Sequence, residues 1–262
     1  MRSVSRLMDV SINTVSKLLV DAGRLCAAFH QEMVRNVPAK RVQADEVWSF
    51  CYAKKKNVTA EMREEHPDAG DVWTWTAIDA DSKLCISYLV GARDGFCAEI
   101  LMRDLESRLG DRAQVTTDQL NVYLRAVDVA FKGNVDYAML HKVYAGVPDG
   151  RYSPAECIGT KKIDITGSPD PKHISTSYVE RSNLTMRMHM RRFTRLTNAF
   201  SKKFENHAHM VAIYTVWYNW VRIHKTLRVT PAMAAKLTDR VWDFAEIVNL
   251  MDEVANPVPQ SN

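Results

Sequence analysis

The feature that most constrains this fold is the alternation of strand-like and helix-like patterns between residues 41 and 146. Three runs rich in β-branched and aromatic residues come first, at residues 41–53, 71–79 and 83–91. A helical segment, a short strand ending at Thr117, a second helical segment and a fifth strand follow. This order is typical of an α/β sheet with helices on its faces.

Length and composition exclude several classes of protein. The 262 residues suffice for one large domain or for a catalytic domain with a small appendage. No apolar run reaches the roughly 18 residues of a membrane span, and the first residues contain no apolar export segment. The five cysteines are scattered without a CxxC pair, so neither a disulfide framework nor a zinc cluster is predicted. His207 and His209 lack zinc-ligand spacing and are predicted to be structural. We expect a cytoplasmic bacterial protein.

Charge is distributed unevenly behind a net value of +4. Residues 181–236 carry eleven Lys or Arg and one Glu, whereas residues 41–180 carry 22 acids and 17 bases. A basic segment of this kind is either a solvated helix face or a site for a polyanion, whose phosphates Lys and Arg neutralise. Its position beside a set of acidic residues favours the polyanion.

Residues 2–22 predict two short helices around a turn. Ser11 is a favourable N-cap for the second helix, and Asp9 tolerates left-handed backbone geometry at the turn. The spacing resembles a helix-turn-helix, whose second helix lies in the DNA major groove. An ordinary helical hairpin is the alternative. Helix-turn-helix domains normally have a further helix before the motif, so a partial motif is expected over residues 1–37. The residues predicted to face DNA are Asn13, Thr14 and Lys17.

Three acidic residues stand where this topology brings them together. Asp45 lies within the first strand, and Asp118 follows the fourth strand at the edge where open α/β sheets bind ligands. Glu180 opens a helix after a long loop predicted over residues 145–177. Clustered carboxylates repel one another unless hard cations compensate, and oxygen ligands suit Mg²⁺ or Mn²⁺. Two such ions about 4 Å apart support phosphoryl transfer.

Each acid also has an ordinary structural alternative. Glu46 follows Asp45 and points to the opposite face of the strand, so either residue is a candidate. Asp118 is also placed to cap the helix that follows it. Glu180 is also placed as a first-turn acid that the helix dipole favours.

Four segments together resemble the DDE transposases of bacterial insertion sequences, within the retroviral-integrase superfamily and nearest to the insertion sequence one group. They are QADEVWSFCYAKKKN, DVWTWTAIDADSK, VTTDQLNVY and YVERSNLTMRMHMRRFTRLTNAFSKK. The resemblance implies a ribonuclease-H-like mixed sheet flanked by helices over residues 38–240, after a small helix-turn-helix remnant and before a tail at residues 241–262. It also implies that the catalytic residues, which bind two Mg²⁺ or Mn²⁺ ions, are Asp45, Asp118 and Glu180.

The basic segment after Glu180 supplies candidate DNA contacts. Asn183, Arg187 and Arg191 follow at helical spacing and are predicted to share one helix face with Glu180. The resemblance supports Asn183 and Arg187 as parts of an ExxNxxxR pattern. Further residues predicted to position DNA rather than to read bases are Arg192, Arg195, Lys202 and Lys203.

The resemblance implies a transposase that hydrolyses a phosphodiester and joins the exposed 3′-OH to target DNA. Its expected partners are double-stranded DNA, as terminal repeats and target, and further copies of itself in a dimer or larger assembly. Two alternatives remain open. One is a ribonuclease-H-like nuclease without strand transfer, and the other is a non-catalytic helix-turn-helix protein that binds DNA.

Overall fold

A computed structural model describes residues 1–145, 156–194 and 198–255, with side chains as far as residue 249. The chain forms two compact units, each assembled from separate segments. The first unit consists of Met1–Arg35, Ser49–Val72 and Met190–Asn262, and the second of Asn36–Trp48 and Trp73–His189. The division predicted at residues 37 and 240 stays a prediction.

The described residues form a six-stranded mixed sheet with the order β3-β2-β1-β4-β5-β6. β1 is parallel to β4, and β4 to β5, whereas β2 with β3 and β5 with β6 are antiparallel. The predicted α/β class is confirmed, and this order is compatible with a ribonuclease-H-like sheet. The strands are β1 (Arg41–Cys51), β2 (Gly70–Asp79), β3 (Cys85–Gly91), β4 (Gln114–Thr117), β5 (Asp136–Tyr144) and β6 (Cys157–Thr166).

β6 corrects the prediction of one long loop over residues 145–177. It pairs antiparallel with β5, from Tyr137 opposite Thr166 to Tyr144 opposite Cys157. Nearly all of its side chains are exposed, so backbone hydrogen bonds rather than side-chain burial hold it at the sheet edge. Because exposed side chains need not be apolar, the sequence of β6, with its Gly, Lys and Asp residues, is similar to that of a loop.

Nine α-helices are described in the two units. Those of the first unit are α1 (Arg2–Leu7), α2 (Ile12–Met33), α3 (Ala60–Glu65), α7 (Phe204–Val216), α8 (Pro231–Ala234) and α9 (Phe244–Ala255). Those of the second unit are α4 (Gly95–Arg108), α5 (Val122–Phe131) and α6 (Ser177–His189). No helix in the described ranges is both long and apolar enough to span a bilayer.

The N-terminal helices have the predicted turn but a different extent. Asp9 has a φ of 49°, and the Ser11 hydroxyl accepts a hydrogen bond from the Thr14 amide at 3.0 Å. α2 runs on to Met33, well beyond the predicted end, because its later turns pack against α7. α1, which is described in full, buries none of its residues. These contacts show two helices around a turn, and DNA binding by them stays a prediction.

The C-terminal segment of the first unit is more structured than the predicted tail. Trp242 packs edge-on against Phe29 and Trp220, with ring centroids 5.6 and 5.9 Å away. Ile247 on α9 is fully buried. Burial of these apolar groups fixes residues that sequence alone assigned to a tail.

Candidate acidic active site

The register of the parallel strands brings two of the predicted acids together. β1 and β4 pair in parallel with Ala44 opposite Thr117. Asp45 directly follows Ala44, and Asp118 directly follows Thr117. Paired strands lie about 4.8 Å apart, so side chains at equivalent positions meet. One carboxylate oxygen from each of Asp45, Glu46 and Asp118 lies within 4.8 Å of the others.

Gln43 on β1 holds the helix that carries Glu180 at this edge of the sheet. Gln43 lies two residues before Asp45 and is buried. Its Oε1 accepts hydrogen bonds from the backbone amides of Tyr178 at 2.8 Å and Val179 at 3.1 Å. Because the first amides of a helix have no partner within the helix, Gln43 ties the start of α6 to the sheet. Val179 is fully buried, and the next residue is Glu180.

The three predicted acids line one cavity of about 340 Å³. The structure thus brings together the residues that the sequence placed on three separate elements. Asp118 also accepts a hydrogen bond from the Leu120 amide at 3.0 Å, but α5 begins later, at Val122, so Asp118 is not its N-cap. The other residues lining the cavity are Gln119, Leu140, Lys142 and Tyr144.

Asn183 lies one turn beyond Glu180 and faces the sheet. Its side chain is buried, and its Nδ2 donates a hydrogen bond to Asp45 Oδ2 at 2.8 Å. The Thr76 hydroxyl donates to Asn183 Oδ1 at 3.3 Å. The amide therefore orients Asp45, and the DNA contact predicted for Asn183 stays a prediction.

Glu46 is held by groups that the sequence did not indicate. Arg93 directs its Nε and Nη2 at one Glu46 oxygen, at 2.8 and 2.6 Å. Tyr123 donates its hydroxyl to the other oxygen at 3.1 Å. The Glu46 side chain is only 2% exposed, so the Arg93 guanidinium compensates part of the charge of a buried carboxylate. Arg93 and Tyr123 lie 47 and 77 residues away in sequence, and no local pattern connects them with Glu46.

The electrostatics of the cluster are those of a site with excess negative charge. Burial, and then the charges of Glu46 and Asp118, raise the pKa of Asp45 to about 7. Burial also raises the pKa of Asp118 and of Glu46, and Arg93 offsets part of the rise in both. A cation among these carboxylates would relieve the repulsion, and an all-oxygen donor set fits Mg²⁺ or Mn²⁺.

Lys142 on β5 is a further residue of the site that the sequence analysis missed. Its Nζ forms an ion pair with Glu180 Oε1, and the Thr176 hydroxyl donates a hydrogen bond to the same oxygen. Burial lowers the pKa of Lys142, but the hydrogen bond and charge of Glu180 raise it more, so the net shift is upward. The preceding run of β5 is apolar, and only the tertiary fold shows that this lysine reaches the acids.

Arg187 and Arg191 do not share one helix, contrary to the prediction. Arg187 lies half-buried on α6, which ends at His189. Met190 has extended backbone angles (φ −114°, ψ 106°) and interrupts the helix. Arg191 follows in a 3-10 turn, Arg191–Phe193, and belongs to the first unit, where it is exposed.

The other predicted DNA contacts lie in the first unit. Arg192 is half-buried and donates a hydrogen bond to Ser201 at 2.8 Å, which is not the exposed position predicted for it. Lys202 and Lys203 are exposed, and Lys202 lies over the Phe200 ring at 4.9 Å. Arg195 lies outside the described residues. Asn13, Thr14 and Lys17 are exposed on α2, and Lys17 pairs with Asp21.

Comparisons with known proteins leave the function to be argued from the site. No protein family matches the chain, and no curated protein matches it. One similar solved structure is the cryo-EM structure of piggyBac transposase synaptic complex with hairpin DNA, with a TM-score of 0.36 and 10% identity. The match covers 90% of this chain and 58% of that one, so the chain spans less than two thirds of its length.

Proposed function

We propose that this protein is a DDE-type transposase that cleaves and joins DNA with divalent metal ions. The observation that carries the proposal is the convergence of Asp45, Asp118 and Glu180 on one cavity at the end of the parallel strands. They come from β1, the end of β4 and α6, so the fold rather than local sequence assembles the cluster. Three of the four segments that resemble bacterial insertion-sequence transposases carry these acids.

The residues of the site fit the metal that this activity requires. Asp45, Asp118 and Glu180 would hold Mg²⁺ or Mn²⁺, because their oxygens surround a cavity in which full ionisation is costly. Divalent ions bound there supply activation of a water or 3′-hydroxyl and stabilise the leaving oxygen of a phosphodiester. Asn183 orients Asp45, and Gln43 holds the helix that carries Glu180.

The DNA partner is assigned from charge and exposure. We assign duplex DNA to the basic segment that begins after Glu180, in which Lys202, Lys203 and Arg191 are exposed. Arg187 shares α6 with Glu180 and is the candidate closest to the cleavage site along the chain. Recognition of the element ends falls to the exposed α2 residues Asn13, Thr14 and Lys17, in an assembly of two or more copies.

A strand-transfer assay tests the proposal. The full chain is incubated with Mg²⁺ or Mn²⁺, target DNA and a labelled, pre-cleaved element end taken from the DNA that flanks the reading frame. We expect metal-dependent joining that is lost in Asp118→Asn and Glu180→Gln. Asp128→Asn is the matched control, because Asp128 is an exposed acid on α5 and should leave joining unchanged.

Three results would contradict parts of the proposal. Metal-dependent cutting without joining would make the protein a nuclease. DNA binding that survives both site substitutions, with neither cutting nor joining by the wild type, would make it a non-catalytic DNA-binding protein. Equal loss of joining in Asp128→Asn would show that the substitutions act through folding rather than through the site.

A further inference from the structure

We propose that Lys142 exchanges partners during the reaction: it neutralises Glu180 when no divalent cation is bound, and it binds a phosphate oxygen of the DNA when cations occupy the site. This inference rests on the proposed function. It assigns a substrate-contacting role to a residue on β5, outside the three acids and outside the basic segment.

The contacts place Lys142 in the same cavity as the three acids. Its Nζ pairs with Glu180 Oε1, and the same side chain lines the cavity with Asp45 and Asp118. The side chains of Lys142 and Glu180 are 28% and 39% exposed, so both remain accessible from solvent. The ammonium group is therefore within the cavity and not sealed behind it.

The two basic side chains of the site differ in how firmly they are held. Arg93 directs two N–H groups at Glu46, whose side chain is almost fully buried, and this planar pair has little freedom to rearrange. Lys142 makes a point contact from a flexible four-carbon chain to a partly exposed carboxylate. Ion pairs of that exposure are weak, so Lys142 is the cation that can exchange.

Exchange follows from competition for one oxygen. Glu180 Oε1 already contacts Lys142 and the Thr176 hydroxyl, so a divalent ion that uses this oxygen competes with Lys142 for it. The displaced ammonium stays tethered at the cavity, where a phosphate supplies the anionic oxygen that it has lost. Removing the Lys142 charge should therefore strengthen metal binding and weaken DNA chemistry, two opposite effects that a purely structural role would not produce.

The experiment compares Lys142→Met with Lys142→Arg in the full chain. Lys161→Met is the matched control, since Lys161 is exposed on β6 opposite His141. Binding of Mn²⁺ alone is measured by calorimetry without DNA, and strand transfer is measured at saturating Mn²⁺. We expect Lys142→Met to bind Mn²⁺ roughly two- to fivefold more tightly, the scale of one exposed ion pair.

The same variant should join DNA at least about tenfold more slowly, the scale of one lost hydrogen bond to a charged group. Lys142→Arg keeps the charge and should bind Mn²⁺ as the wild type does, and Lys161→Met should change neither quantity. Unchanged or weaker Mn²⁺ binding by Lys142→Met overturns the exchange, and so does an unchanged joining rate at saturating Mn²⁺. A wild type that binds Mn²⁺ but joins no DNA overturns the proposed function, while the Mn²⁺ titration still decides whether Lys142 competes for Glu180.

Discussion

Asp45→Asn should stabilise the metal-free protein at neutral and alkaline pH. Asp45 is buried beside Glu46 and Asp118, and these neighbours make its ionised form unfavourable. Asn has the same shape without the charge, and its carbonyl oxygen can still accept the hydrogen bond from Asn183. The substitution therefore removes a repulsive charge while it keeps the hydrogen bond from Asn183.

The size of the effect follows from the displaced pKa. The pKa of Asp45 rises from 3.8 to about 7, a difference of about three units that corresponds to at most about 4 kcal/mol. Because the folded state holds this proton more tightly than the unfolded chain does, the contribution to stability is complete below pH 3.8. It is lost progressively as the pH rises towards 7 and is constant above that.

Urea unfolding in EDTA between pH 5 and 9 measures this difference. The free energy of unfolding of the wild type should fall relative to Asp45→Asn as the pH rises, and added Mg²⁺ should restore only the wild type. Asp136→Asn is a control of opposite sign, because the hydrogen bond from Arg112 lowers the pKa of Asp136. Loss of this interaction in Asp136→Asn should destabilise the folded protein near pH 7. Parallel pH profiles for the wild type and Asp45→Asn would refute the reasoning.

Three further expectations concern the scaffold. Gln43→Leu leaves the amides of Tyr178 and Val179 without their acceptor, which should cost roughly 2 kcal/mol and speed hydrogen exchange at Val179. Burial lowers the pKa of His207 to about 4, so its contribution to stability is complete above pH 6.5 and is lost as the pH falls towards 4; His207→Gln should flatten that decline in urea titrations. α1, with no buried residue, should exchange its amide hydrogens far faster than α2.

The sheet and its two strand-borne acids could be predicted because local patterns determine them. Alternation of apolar and polar residues marks the start of β1, and β-branched residues mark the short β4; parallel neighbours bring their carboxyl ends to one edge. The end of α6 could not be predicted, since the helical spacing of Arg187 and Arg191 continues through Met190, where the backbone becomes extended. β6 could not be predicted either, because backbone hydrogen bonds hold it in the sheet and its side chains carry no burial pattern.

Lys142 and Arg93 escaped prediction for another reason. Their roles depend on partners 38 and 47 residues away, and ion pairs at such separations leave no periodic trace in a single sequence. The negative charges of the site could be predicted because a known chemistry requires them. The positive charges of Lys142 and Arg93, which reduce the repulsion among those acids, could not.

The different roles of Asp45 and Glu46 follow from the groups that donate hydrogen bonds to each of them. Glu46 accepts hydrogen bonds from the Arg93 guanidinium and the Tyr123 hydroxyl, so both of its oxygens are engaged and Arg93 compensates part of its charge. Asp45 accepts only from neutral donors among the contacts described, the Asn183 amide and the backbone of Glu46. The uncompensated charge, and with it the need for a cation, therefore rests on Asp45. This is a physical reason, independent of any resemblance, to assign the cation to the first acid of the pair.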